Sequence, residues 1–239
     1  LDRITQHRTW DFEEGELLIF NKPLYWTSFD LVKKVKNIIR AGTGLKKLKV
    51  GHAGTLDPLA SGVMIICTGK YTKRISELQE HDKEYLATFH LGATTPSFDL
   101  ETEVDARYNI TDVTKEKVNV VLMELAGRQM QVPPLYSAKN IGGKRAYEYA
   151  RKGVDIKMEP VPVVFHKLEL IRFEMPEVEI LIRCSKGTYI RSFARDMGEK
   201  LGCGAYLSAL VRTGSGQYTL SDSVTLEEFE KKLESMKQI

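Results

Sequence analysis

A chain of 239 residues, 42% hydrophobic and 28% charged, is long enough to bury a substantial core, and no apolar run approaches the roughly 20 residues of a membrane-spanning helix. Three cysteines, Cys67, Cys184 and Cys203, include no CxxC pair and leave an odd number, which argues against a disulfide framework and for reduced, buried thiols. With no signal-like apolar segment at Leu1-Asp2-Arg3, the chain is expected to be soluble and cytoplasmic. Its net charge of +3 is too mild to announce a polyanionic partner by itself.

Residues 17–20, an apolar run bounded by Gly15 and Pro23, read as a buried strand feeding the turn Asn21-Lys22-Pro23. A helix is expected from Thr27 or Ser28. These hydroxyls can cap it and Asp30 suits its first turn, while Phe29, Val32, Val35, Ile38 and Ile39 form an apolar stripe that ends at Gly42 and Gly44. Residues 63–67 are continuously apolar, the pattern of a strand covered on both faces. Residues 84–91 alternate, with Tyr85, Ala87, Phe89 and Leu91 on one side.

Residues 114–126 carry Val118, Val121, Leu122 and Leu125 in helical phase, with Thr114 before and Gly127 beyond. Two β-rich runs, 161–173 and 178–184, meet at a turn near Met175-Pro176, and a helix over 189–201 ends at Gly202. Thr225-Leu226-Glu227-Glu228 is a capping box, and Leu226, Phe229, Leu233 and Met236 give the helix it opens an apolar stripe. Strands and helices interleave without a βαβ repeat, so the class is α+β with a mixed, largely antiparallel sheet flanked by helices. Residues 129–153 depart from compact patterning, with Pro133-Pro134, Gly142-Gly143, three tyrosines and clustered basic charge. They read as an insertion that projects from the core.

Charge is unevenly distributed. Residues 31–55 hold Lys33, Lys34, Lys36, Arg40, Lys46, Lys47 and Lys49 and no acid, and residues 128–153 hold Arg128, Lys139, Lys144, Arg145, Arg151 and Lys152 against Glu148 alone. Acids gather in 99–105 and 227–234, so one basic face and an RNA partner are expected. After the first basic stretch comes Gly51-His52-Ala53-Gly54-Thr55-Leu56-Asp57-Pro58-Leu59-Ala60-Ser61-Gly62, which isolates the Asp57 carboxylate among small and uncharged residues. The five histidines are scattered without ligand spacing, and there is no phosphate-binding glycine loop or dinucleotide fingerprint. No cofactor and no metal are therefore expected.

The run around Asp57 closely resembles the signature of the TruB family of tRNA pseudouridine synthases, and Lys186-Gly187-Thr188-Tyr189-Ile190-Arg191 is a second match. The resemblance extends from Leu18 to about Val224. It implies the pseudouridine synthase fold with an inserted RNA-binding thumb, and isomerisation of the uridine at tRNA position 55, in the T-arm. Asp57 then corresponds to the nucleophile and Arg191 to its charged partner. Tyr85 corresponds to the tyrosine that stacks on the flipped uracil, Tyr189 to a second aromatic of the pocket, and Leu210 to an apolar residue beneath the base. His52 corresponds to the histidine that enters the space vacated by the everted nucleotide, and Lys22 to a lysine-proline turn beside the site. Lys144, Arg145, Arg151 and Lys152 would belong to the thumb, about 129–153.

The resemblance implies one catalytic domain over 1–239, without the small C-terminal RNA-binding (PUA) domain of many relatives. The chain is expected to act as a monomer on the T-arm stem-loop of tRNA, away from any membrane. Residues 93–102 keep only Thr95 and Asp99 of the family's usual loop. Two other classes of function stand beside this one. An RNA-binding or RNA-folding module would keep the cleft with secondary chemistry, and a glycoside hydrolase would require a second carboxylate that neither motif supplies.

Overall fold

The computed structural model describes residues 10–137, 140–141, 143–150, 154 and 156–236. It divides into two compact units, one formed by Leu1–Tyr85 with Val211–Ile239 and the other by Leu86–Leu210.

The first unit opens with β1 (Leu17–Lys22), followed by α1 (Ser28–Thr43), β2 (Val50–His52), β3 (Ala60–Thr68) and α2 (Ile75–Gln79). β1 and β3 pair antiparallel, with Phe20 opposite Met64 and Lys22 opposite Gly62, and β2 pairs with the distal half of β3. The continuous apolar run of β3 is fully buried, as a strand covered on both faces must be. Thr27 caps α1 through a reciprocal box: its hydroxyl accepts from the Asp30 amide at 3.0 Å while its own amide donates to the Asp30 carboxylate at 3.0 Å. Gly44 closes the helix in the left-handed conformation, φ 76°.

Leu31, Val32, Val35, Ile38 and Ile39 form the buried face of α1, but Phe29, expected in that stripe, is 71% exposed. At about 100° per residue it lies roughly 120° from the centre of the buried face. Ser28 takes the buried place at the helix start instead.

β4 (Lys83–Leu91) carries the chain into the second unit, and its alternate residues from Lys83 to Leu91 are buried. There follow β5 (Ala93–Thr94), β6 (Ala106–Arg107), α3 (Lys115–Leu125), β7 (Gly127–Gln131), β8 (Asn140–Ile141), β9 (Lys144–Arg145), α4 (Ala146–Ala150), β10 (Val161–Glu174), β11 (Glu177–Cys184) and α5 (Ile190–Leu201). β10 pairs antiparallel with β11 on one side and β7 on the other, so residues 129–131 lie in the sheet. Phe193 of α5 packs on Phe165 and Phe89, with ring centroids 5.1 and 5.5 Å away.

β12 (Ala205–Ser215), which sequence periodicity did not resolve, returns the chain to the first unit, followed by β13 (Tyr218–Thr219) and α6 (Leu226–Ser235). The capping box at Thr225 forms as expected. Phe229 of α6 enters an aromatic cluster with Trp10 and Phe20, at 5.3 and 5.2 Å. Among the described residues no helix is long and apolar enough to cross a membrane.

Candidate active site

Asp57 stands in the turn between β2 and β3, and the backbone on both sides of it is held from outside the turn. The Ser28 hydroxyl donates to the Leu56 carbonyl at 3.0 Å and accepts from the Leu56 amide at 2.9 Å. The Tyr25 amide donates to the Pro58 carbonyl at 2.7 Å, with Tyr25 itself at φ 67°. Arg212 of β12, 1% exposed, donates to the carbonyls of Val63 at 2.7 Å, Gly54 at 3.2 Å and Thr55 at 3.4 Å. A charged donor satisfying three carbonyls fixes the turn far more firmly than its small residues could. Gly62 is what allows this closeness: its φ is 108°, and a Cβ there would meet the Arg212 carbonyl oxygen at 2.3 Å.

Lys22 at the end of β1 is fully buried, and its ammonium donates to the carbonyls of Pro23 at 2.9 Å and Trp26 at 2.6 Å. Burial pushes its pKa down to about 8; the Asp57 carboxylate works against that shift and the Arg212 charge adds to it. Asp57 therefore has a buried cation whose charge responds to mild alkali. His52, the last residue of β2, has its pKa lowered chiefly by burial, so the imidazole is neutral at neutral pH. Its Nδ1 is buried and has no hydrogen-bond partner among the described residues. Tyr85, 8% exposed, faces the buried side of β4.

The second unit holds Tyr189, Arg191 and Leu210. Tyr189 is the residue preceding α5 and is clasped by one side-chain amide: its N–H donates to Gln131 Oε1 at 2.9 Å and its carbonyl accepts from Gln131 Nε2 at 3.1 Å. Ser192 adds a hydrogen bond to the Val132 carbonyl at 2.8 Å, so the N-terminal turn of α5 is tied to β7 and the residue after it. Arg191 is 5% exposed, and its Nε lies 3.6 Å from a carboxylate oxygen of Asp99, itself 4% exposed. Leu210 is 9% exposed.

Asp57, His52, Lys22 and Tyr85 thus occupy the first unit, with Lys22 and Asp57 brought within electrostatic reach. Arg191, Tyr189 and Leu210 occupy the second. Sequence reasoning missed Arg212 and Gln131, and it marked Asp99 as a retained loop residue without foreseeing its contact with Arg191. Arg212 signalled itself as a lone charge within β12; Gln131 is recognisable only by its partner. The side chains of Lys144 and Arg145, and the whole of Arg151 and Lys152, lie outside the described residues. Among the described residues no three His, Cys, Asp or Glu side chains converge as a metal site would require.

Comparison with solved structures finds the same fold in a Cbf5-Nop10-Gar1 complex, with TM-score 0.70 and 28% identity over 92% of this chain. A second match is an H/ACA RNP bound to a substrate RNA containing 2'-deoxyuridine, with TM-score 0.69 and 26% identity over 95% of this chain. This chain spans 54% and 56% of those two chains, about half of each. The family model for TruB family pseudouridylate synthase (N terminal domain) matches residues 40–190, and the model for the tRNA pseudouridylate synthase B C-terminal domain matches 191–238. The fold is that of the pseudouridine synthases.

The tRNA pseudouridine synthase B of Phocaeicola vulgatus is 54% identical over 219 residues, covering 92% of this chain and 93% of the relative. That of Parabacteroides distasonis is 53% identical over 224 residues, covering 94% and 95%. The chain belongs to the TruB family of pseudouridylate synthases.

Proposed function

We infer that this protein isomerises uridine to pseudouridine in tRNA, acting on the T-arm uridine at position 55 with Asp57 as nucleophile. The reaction breaks the bond from the sugar to ring nitrogen 1 and forms one from the same sugar carbon to ring carbon 5. That carbon gives up a proton and the freed nitrogen gains one, so atoms and electrons balance without an oxidant or reductant. The enzyme must hold a carboxylate against the sugar or ring while the base is detached. The carrying observation is the immobilised Asp57 turn, gripped at Leu56, Pro58, Gly54 and Thr55 and lying beside the buried Lys22 ammonium.

The other roles follow the motif matches. Arg191 holds the Asp57 carboxylate ionised, Tyr85 and Tyr189 stack on the base, Leu210 supports it, and His52 fills the place it leaves. Lys22 keeps the lysine-proline turn next to Asp57. Residues of the 129–153 segment, Lys144, Arg145, Arg151 and Lys152 among them, act as a thumb on the RNA, and the enzyme works as a monomer.

Asp57→Asn changes charge with little change in size. It is expected to abolish pseudouridine formation, mapped in tRNA after incubation with the purified protein, while tRNA affinity stays within a few-fold. Substantial turnover by this variant would remove the nucleophile assignment.

A further inference from the structure

The first unit carries a second feature suited to RNA, at the end of α1 and β3 remote from Asp57. A cavity of about 580 Å³ is lined by Lys36, Arg40, Lys46, Lys47, Lys49, Lys70 and Lys73, with Glu13 as the single acidic residue of its wall. Only Lys70 is ion-paired among the described residues, to Glu14 at 2.6 Å. The other six cations have no carboxylate partner there.

The floor beneath these charges is fixed. Leu48 is 6% exposed and anchors the segment between Lys47 and Lys49 in the core. The Gly69 amide donates to the Lys49 carbonyl at 2.9 Å and the Lys70 amide to the Glu13 carbonyl at 3.2 Å. Gly69 has φ 50°, and a Cβ there would meet the Glu13 carbonyl oxygen at 2.1 Å, so the backbone closes up only because this residue is glycine. Unpaired ammonium groups on a fixed floor are suited to phosphates, each exchanging condensed counterions for a protein cation.

The distance to the Asp57 turn identifies the kind of phosphate. Ser28, at the start of α1, is bonded to Leu56, whereas Lys36 and Arg40 lie 8 and 12 residues further along the same helix, about 12 and 18 Å away at 1.5 Å per residue. β3 likewise runs from Ala60 beside the turn to Thr68 beside the cavity, about 26 Å at 3.3 Å per residue. A separation of about 20 Å corresponds to roughly six base pairs of duplex. A loop nucleotide at Asp57 cannot itself reach the cavity.

We propose that this basic cavity binds the backbone phosphates of the duplex stem that continues from the loop holding the target uridine. The proposal rests on the RNA-modifying role argued above and adds a contact surface to it. It makes affinity depend on stem length, while chemistry depends on the residues assigned to the reaction and not on the cavity.

The test uses the whole protein with Lys46→Gln, Lys47→Gln, Lys49→Gln and Lys73→Gln combined, beside a variant with arginine at the same four exposed positions. The RNAs are full-length tRNA and a T-arm hairpin cut to about three stem pairs. For the glutamine variant, tRNA affinity should fall about tenfold or more, and its logarithmic salt slope by about three, at up to roughly 0.9 per lost phosphate contact. Binding and single-turnover isomerisation of the hairpin should stay at wild-type values, and the arginine variant should match wild type on both RNAs. An unchanged salt slope on tRNA overturns the proposal, as does an equal loss on the short hairpin.

The double variant Lys46→Gln, Lys47→Gln should show about half the slope change and keeps the test readable if four substitutions impair folding. Failure of the functional reading looks different, because the wild-type protein would then leave uridine unconverted in both RNAs.

Discussion

Arg212 shows how one buried side chain can hold a turn through its backbone. Its guanidinium satisfies three carbonyls in and beside the Asp57 turn. Replacing it with methionine leaves those buried acceptors without their donor, at a cost of about 3 kcal/mol. Arg212→Met should therefore lower stability to urea by about that amount and reduce kcat more than tenfold, with tRNA affinity within a few-fold. Wild-type turnover in a destabilised protein would confine Arg212 to a structural role. Lys22 makes a second, pH-dependent prediction. Its folded pKa, about 8, lies below the ordinary lysine value of 10.5, so between these the unfolded chain binds more protons and stability rises with pH. The cost of burying the charge is present in full below about pH 8 and is relieved towards 10.5. Lys22→Met should flatten this rise, by at most one proton in the slope, in unfolding measured across that window.

Elements decide how the residues of the second unit are presented. α5 lacks a side-chain cap of its own at Tyr189, and Gln131 of β7 supplies both a donor and an acceptor to that residue. Gln131→Ala should cost about 1–2 kcal/mol, comparable with loss of a helix cap, and should raise KM for tRNA if Tyr189 contacts the base. Stability loss with unchanged KM would separate Tyr189 from substrate binding. Asp99 and Arg191 face each other, both almost wholly buried, so Asp99→Asn removes a countercharge beside the guanidinium. Breaking a buried pair costs up to about 3–5 kcal/mol, and the midpoint of thermal unfolding should fall. Three helices, α1, α3 and α6, were legible in sequence because each has a cap and a stripe: Thr27 and Asp30 for α1, Thr114 for α3, Thr225 and Glu228 for α6. β12 was not legible, since its run interrupts apolar residues with Arg212 and Thr213, whose partners lie far away in sequence.

For the whole molecule, the modest charge of +3 conceals a strong asymmetry. Basic residues gather in 31–55 and 128–153, and five of the first segment, Lys36, Arg40, Lys46, Lys47 and Lys49, line a cavity together with Lys70 and Lys73. On the thumb reading, changing Lys144, Arg145, Arg151 and Lys152 to glutamine together should weaken tRNA binding and flatten its salt dependence while the melting temperature holds. Solvated charges with no RNA contact would leave affinity and slope unchanged and remove the thumb assignment.

The sequence by itself determined the α+β class and the family, and singled out the Asp57 carboxylate proposed as nucleophile, because hydrophobic period, caps and the Asp57 run are local patterns read along the chain. It also marked the basic stretch, as composition. Tertiary structure alone decided what holds the Asp57 turn, since Arg212 lies more than 140 residues from Val63 in sequence and meets its carbonyl only once β12 is placed. It decided that Asp99 faces Arg191 and that cations from three segments share one cavity. Each depends on contacts between segments remote in sequence, and no local period or spacing encodes which of them will meet.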